Sequence, residues 1–154
     1  MGDAYFYHLT HSPVERTLPS LLGKALGAGW RIAVRGRSRD RLDWLDQKLW
    51  LGPDDDFLPH GVEGGAHDAL QPILLTTGTA ANDPACLMAI DGAEVAASDV
   101  SGMQRVCILF DGNDTEALEM ARAQWRTITA AGLGAKYWSE ESGRWEMKSE
   151  NAPG

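Results

Sequence analysis

The sequence predicts an α/β fold in three layers, with helices on both faces of a largely parallel sheet. Three observations carry this. Short, nearly continuous apolar runs such as 73–75, 86–90 and 105–110 suit strands buried on both faces. These runs alternate with longer stretches of helical periodicity, the pattern of a parallel sheet with crossover helices. The chain has 154 residues, 44% of them hydrophobic, enough for one domain with a sizeable core.

Residues 4–9 (Ala-Tyr-Phe-Tyr-His-Leu) read as the first strand, aromatic and buried on both faces. Ser12-Pro13 supplies an N-cap followed by proline at the first helical position. That helix runs to about Ala28 and stops at Gly29; Pro19 inside it predicts a late start or a kink. A short strand follows at 30–34. Ser38 can cap a helix from Arg39 to about Trp50, with Leu42, Leu45 and Leu49 facing inward. Residues 52–56 are loop. Phe57-Leu58-Pro59-His60 then reads as a short edge element with apolar groups near the surface, or as a strand packed on its own core. Residues 61–69 read as a glycine-rich loop. Strands are expected at 72–77, 86–90 and 105–110, with a turn at Asp91-Gly92.

The last long helix is expected at 117–131, stopped by Gly132. At 100° per residue, Ala117, Ala121 and Ile128 share one face, flanked by Met120, Gln124 and Ala131. Trp125 falls on the edge of that face, and Arg122 and Arg126 just outside it. One helix therefore offers an indole bordered by two guanidiniums one turn apart. Such a seam suits a ligand with an aromatic ring and a carboxylate; the alternative is an ordinary core margin with solvated arginines. A strand pair follows around Tyr137-Trp138 and Arg144-Trp145. The predicted domain covers residues 1–148, and 149–154 are read as a flexible tail.

Composition limits the function classes. The net charge of −8 weighs against extensive contact with nucleic-acid phosphates. No segment approaches the length of a membrane span, and the N-terminus lacks a signal region, so a soluble cytoplasmic protein is expected. Cys86 and Cys107 sit in apolar runs and read as buried free thiols. Four arginines fall between Arg35 and Arg41, as an anion site at a helix start or as a solvated turn paired with Asp40, Asp43 and Asp46.

Catalytic motifs are not found. Gly23-Lys24 lacks the earlier glycine and following hydroxyl of a phosphate loop, and Gly27-Ala28-Gly29 lacks the third glycine of a dinucleotide fingerprint. The histidines have no carboxylate cluster to complete a metal site, and the serines have no nucleophile-elbow context. A non-catalytic binding module without cofactor or metal is the expectation. The alternatives are a nucleotide-binding α/β enzyme, or a single-stranded DNA binder using residues 35–41 with Trp30 or Trp44 as stacking platforms.

Taken in order, several short motifs resemble one family. They are Tyr5-Phe6-Tyr7-His8-Leu9, then Leu45-Asp46-Gln47-Lys48-Leu49-Trp50, then Phe57-Leu58-Pro59-His60. Arg122-Ala123-Gln124-Trp125-Arg126, Gly132, Tyr137-Trp138 and Gly143-Arg144-Trp145 complete the set. At these spacings the chain resembles the chi subunit family of the bacterial DNA polymerase III holoenzyme. The resemblance implies a single-domain Rossmann-like fold without catalysis, as an adaptor between the clamp-loader assembly and single-stranded DNA-binding protein (SSB). It implies that Arg122, Trp125 and Arg126 bind the acidic C-terminal tail of SSB, which ends in Pro-Phe and a free carboxylate. A second surface, at Trp50, Phe57, Pro59 and His60, is implied for the psi subunit or another clamp-loader component. Segment 78–102 diverges from the family and has no functional reading.

Overall fold

The computed structural model describes residues 2–50 and 58–152. Its described elements run β1 (Asp3–Leu9), α1 (Val14–Gly27), β2 (Ile32–Arg35), α2 (Arg39–Trp50), β3 (His60–Val62), β4 (Ile73–Thr76), β5 (Cys86–Ala89), α3 (Ala97–Ser101), β6 (Arg105–Asp111), α4 (Thr115–Ala130), β7 (Gly134–Ser139) and β8 (Glu146–Asn151). They form one eight-stranded sheet in the order β3-β4-β2-β5-β6-β1-β7-β8. Every pairing is parallel except the antiparallel β7–β8 hairpin. The predicted α/β, largely parallel, Rossmann-like architecture is found.

The sheet divides two cores by the two-residue period of its strands. Leu9, Ile32, Val34, Ile73, Leu75, Met88 and Leu109 point to one side, under Leu18, Leu22 and Ala25 of α1 and Leu42, Leu45 and Leu49 of α2. Ala4, Phe6, Ala33, Leu87, Val106, Ile108 and Phe110 point to the other, under Val100 of α3 and Ala121 and Ile128 of α4. Helices α1 and α4 thus lie on opposite faces of the adjacent strands β1 and β6, the arrangement that opens a crevice at the carboxyl end of a parallel sheet.

Several expectations change. Helix α1 runs through Pro19 without interruption from Val14, so the late start is not found. Ser12 does not cap it: the flanking residue is Pro13, and the Ser12 hydroxyl donates to Glu140 instead. The glycine-rich stretch 61–69 is not all loop, because Gly61 and Val62 pair with Leu74 and Leu75 in β3, at the edge of the sheet. Arg144-Trp145 precedes β8 instead of lying in it, and β8 continues to Asn151. Residues 149–151 pair with β7.

The arginine run is mostly paired, but over longer range than predicted. Arg39 meets Asp43 at 3.2 Å, whereas Arg35 reaches Asp99 at 3.0 Å and Arg41 reaches Asp91 at 2.8 Å. Asp46 pairs with His60 instead. Ser38 does accept from the Arg41 N–H, as a cap of α2. Cys86 and Cys107 are free and buried as expected. Their mutual hydrogen bond and burial push the Cys107 thiol up, which makes it a poor nucleophile.

Candidate functional site: a cationic aromatic groove beside the last helix

Helix α4 starts where Asp114 accepts from the N–H groups of Glu116 and Ala117. Its core face buries Ala121, Gln124 and Ile128, and the Gln124 amide is satisfied by donating to the Ala93 carbonyl. The edge of that face carries Trp125, half-buried, with Arg122 and Arg126 exposed. The helical spacing predicted this seam, and the structure gives it a floor. The Trp125 ring meets Phe6 of β1 edge-on at 5.3 Å and Tyr137 of β7 at 6.0 Å. Tyr137 in turn stacks on Phe6 at 6.3 Å and receives or gives a 2.8 Å hydrogen bond at His8 Nδ1. Burial pushes the Tyr137 hydroxyl up, with Arg122 drawing it down and Glu141 raising it, so both charges act on this floor.

Above this floor lies a groove of about 420 Å³, with Arg122, Trp125 and Arg126 on one side and Lys148 and Ser149 of β8 on the other. His8, Tyr137, Ser139 and Glu141 complete it. Three fixed cations face one carboxylate there, in a chain whose net charge is −8. The local sign is the reverse of the whole molecule's. Sequence reasoning found the α4 residues and missed the others. His8 and Tyr137 are brought together by the register Phe6↔Tyr137 and His8↔Ser139 of β1 with β7, and Lys148 by the pairing of β8 with β7.

The second predicted surface is partly described. Trp50 is 52% exposed, at the end of α2. Its ring lies 4.5 Å from that of His60. His60 itself is buried: Nδ1 bonds the Leu58 carbonyl at 2.6 Å, and Nε2 lies 3.0 Å from the Asp46 carboxylate. The expected surface element is thus divided, because Leu58 and His60 are buried, Pro59 is half-buried and Trp50 stands outside. Phe57 lies outside the described residues.

A larger cleft, about 670 Å³, opens at the carboxyl ends of β1 and β6, lined by Ser12, Arg37, Arg41, Asp91, Asp111 and Asp114 among others. This is where the fold class places nucleotide phosphates. Here the backbone N–H donors after β1 are already used. Glu140 Oε1 accepts from the N–H groups of Thr10, His11 and Ser12 at 2.9, 2.8 and 2.7 Å, and its Oε2 accepts from the Ser12 hydroxyl at 3.0 Å. The chain's own carboxylate fills the anion nest after β1. Burial would raise the Glu140 carboxyl, but these donors outweigh it and hold it below the ordinary glutamate range. At the other helix, Asp114 takes the α4 N-terminal donors. Among the described residues no group of three metal-ligating side chains is found.

The sequence model of one family, described as DNA polymerase III chi subunit, HolC, matches residues 1–136. The chain belongs to the DNA polymerase III chi subunit family. No curated protein matches it significantly. The family gives the chain an accessory role in replication. The match covers β1 through all of α4 and ends at Lys136 in β7, at the start of the hairpin that forms the far wall of the groove. Among the described residues no helix is long and apolar enough to cross a membrane.

Proposed function

We propose that the chain is a non-catalytic, cytoplasmic adaptor that binds the acidic C-terminal tail of SSB in the groove between α4 and the β7–β8 hairpin. The observation that carries this is the half-buried Trp125 between Arg122 and Arg126, on a floor of His8 and Tyr137 backed by the buried Phe6 ring. The terminal phenylalanine of the tail packs against Trp125, its carboxylate pairs with one guanidinium, and the other serves an acidic side chain. The test is a fluorescence-anisotropy titration with a labelled acidic peptide ending in Pro-Phe, beside a control lacking the final Phe. Saturable binding lost with the control supports the reading; no binding at low salt overturns it.

The exposed indole of Trp50 supports a second contact, to the psi subunit or another clamp-loader component, in which the resemblance also implicates Phe57 and Pro59. His60 contributes by holding the Trp50 ring from below. The nucleotide alternative is disfavoured by Glu140 in the anion nest. Direct stacking of single-stranded DNA on Trp30 or Trp44 is disfavoured as well, since Arg105 already lies 5.3 Å from the first ring and Arg41 4.1 Å from the second.

A further inference from the structure

In a regular strand, consecutive side chains point to opposite faces of the sheet. Strand β8 breaks this rule at the groove. Tyr137 pairs with Ser149 and Trp138 with Met147, so Lys148 is one residue too many between them. Such a bulge turns the extra side chain away from its regular direction. As a result Lys148 and Ser149, adjacent in sequence, both line the groove. The Lys148 side chain is 46% exposed, and among the described residues its ammonium pairs with the Glu146 carboxylate, at 3.0 Å, itself part-exposed. Opposite in sign, Glu141 also lines the groove, with Oε1 3.5 Å from His8 Nε2 and its side chain 62% exposed.

We propose that the β7–β8 hairpin sets the charge selectivity of the groove: Lys148, turned inward by the bulge, pairs with an acidic side chain of the bound peptide upstream of its last residue, and Glu141 opposes it. This rests on the reading of the groove as a carboxylate-peptide site. It adds a discriminating wall to the α4 residues that hold the end of the peptide. Both residues lie beyond the stretch matched by the family. Lys148 exchanges a solvated partner, Glu146, for the peptide's carboxylate, while Glu141 repels any anionic peptide seated beside His8. Ligand charge is thereby weighed by two opposed groups instead of by the arginines alone.

The experiment titrates the full chain and its Lys148→Ala and Glu141→Gln variants with two labelled peptides. One is acidic and ends in Pro-Phe with a free carboxylate; the other has its acidic side chains replaced by amides and keeps the same end. Lys148→Ala is expected to weaken the acidic peptide by about 2–5-fold at low salt and to leave the amide peptide unchanged. Glu141→Gln is expected to tighten the acidic peptide by a similar factor, roughly 2–5-fold. Unchanged acidic-peptide affinity in Lys148→Ala overturns the proposal, and so does an equal loss for both peptides. If the unsubstituted chain binds neither peptide, the groove reading itself fails. If it binds both and Arg126→Ala abolishes this while Lys148→Ala does nothing, only the hairpin assignment fails.

Discussion

Glu140, just past the end of β7, holds Ser12 twice: its Oε1 accepts from the backbone N–H at 2.7 Å and its Oε2 from the hydroxyl at 3.0 Å. With the Thr10 and His11 N–H groups on the same oxygen, one side chain ties the turn after β1 to the strand beside it. The residue is 5% exposed. Glu140→Ala leaves several part-buried donors without their charged acceptor and is expected to cost about 1–3 kcal/mol, read by denaturant unfolding. Because the folded carboxyl lies below its ordinary value, its stabilisation is complete above the unfolded glutamate value and is lost as pH falls through the depressed folded value. The gap between the native chain and Glu140→Ala should therefore narrow in acid. An unchanging gap down to the lowest pH at which both fold would show that the charge contributes nothing.

At the groove, Arg126→Ala should weaken binding of the Pro-Phe peptide by the loss of one charge-assisted contact, about 1.5–3 kcal/mol, with unfolding stability unchanged. The side chain is exposed, so nothing in the core depends on it. Isothermal titration beside thermal unfolding separates the two effects.

Trp125→Ala acts on binding and stability together. The indole packs on Phe6 and Tyr137, so its removal forfeits roughly 0.5–1.5 kcal/mol of aromatic contact in addition to its buried area. Trp125→Phe should retain the fold more fully and still weaken peptide binding. Equal peptide affinity in Trp125→Phe and Trp125→Ala chains, both at the native level, would remove Trp125 from the site.

Gly112 lies against the His8 ring, and a methyl group there would occupy the space of His8 Nε2 and Cδ2. Gly112→Ala is expected to displace the ring, break its bond to Tyr137 and lower stability by about 1–3 kcal/mol. Peptide affinity should fall with it, because His8 and Tyr137 form the groove floor. Unaltered His8 NMR shifts in the variant would contradict this.

Trp50 and His60 should separate function from stability on the other surface. Trp50→Ala removes a half-exposed ring and is expected to abolish capture of a clamp-loader partner in a pull-down, with a stability loss on the order of 0.5–1.5 kcal/mol from its ring contact with His60. His60→Ala leaves a cavity and the Asp46 and Leu58 acceptors without their partner, so it should lower stability as well.

The sequence by itself determined the fold class, the main alternation of strands and long helices though not α3, the inward faces of α2 and α4, and the seam of Arg122, Trp125 and Arg126. These are consequences of local periodicity, which a helix or strand expresses whatever surrounds it. Even the cap at Ser38 was legible for that reason, whereas Ser12, equally a capping residue, went to a carboxylate 128 positions away. Only the tertiary structure decided what that seam faces. The parallel register of β1 with β7 brings His8 and Tyr137 beneath Trp125, and a one-residue bulge in β8 turns Lys148 toward the arginines. It also placed Glu140 in the anion nest and His60 under Trp50. Pairings across the sheet join residues more than a hundred positions apart, and no local pattern encodes which of them will meet.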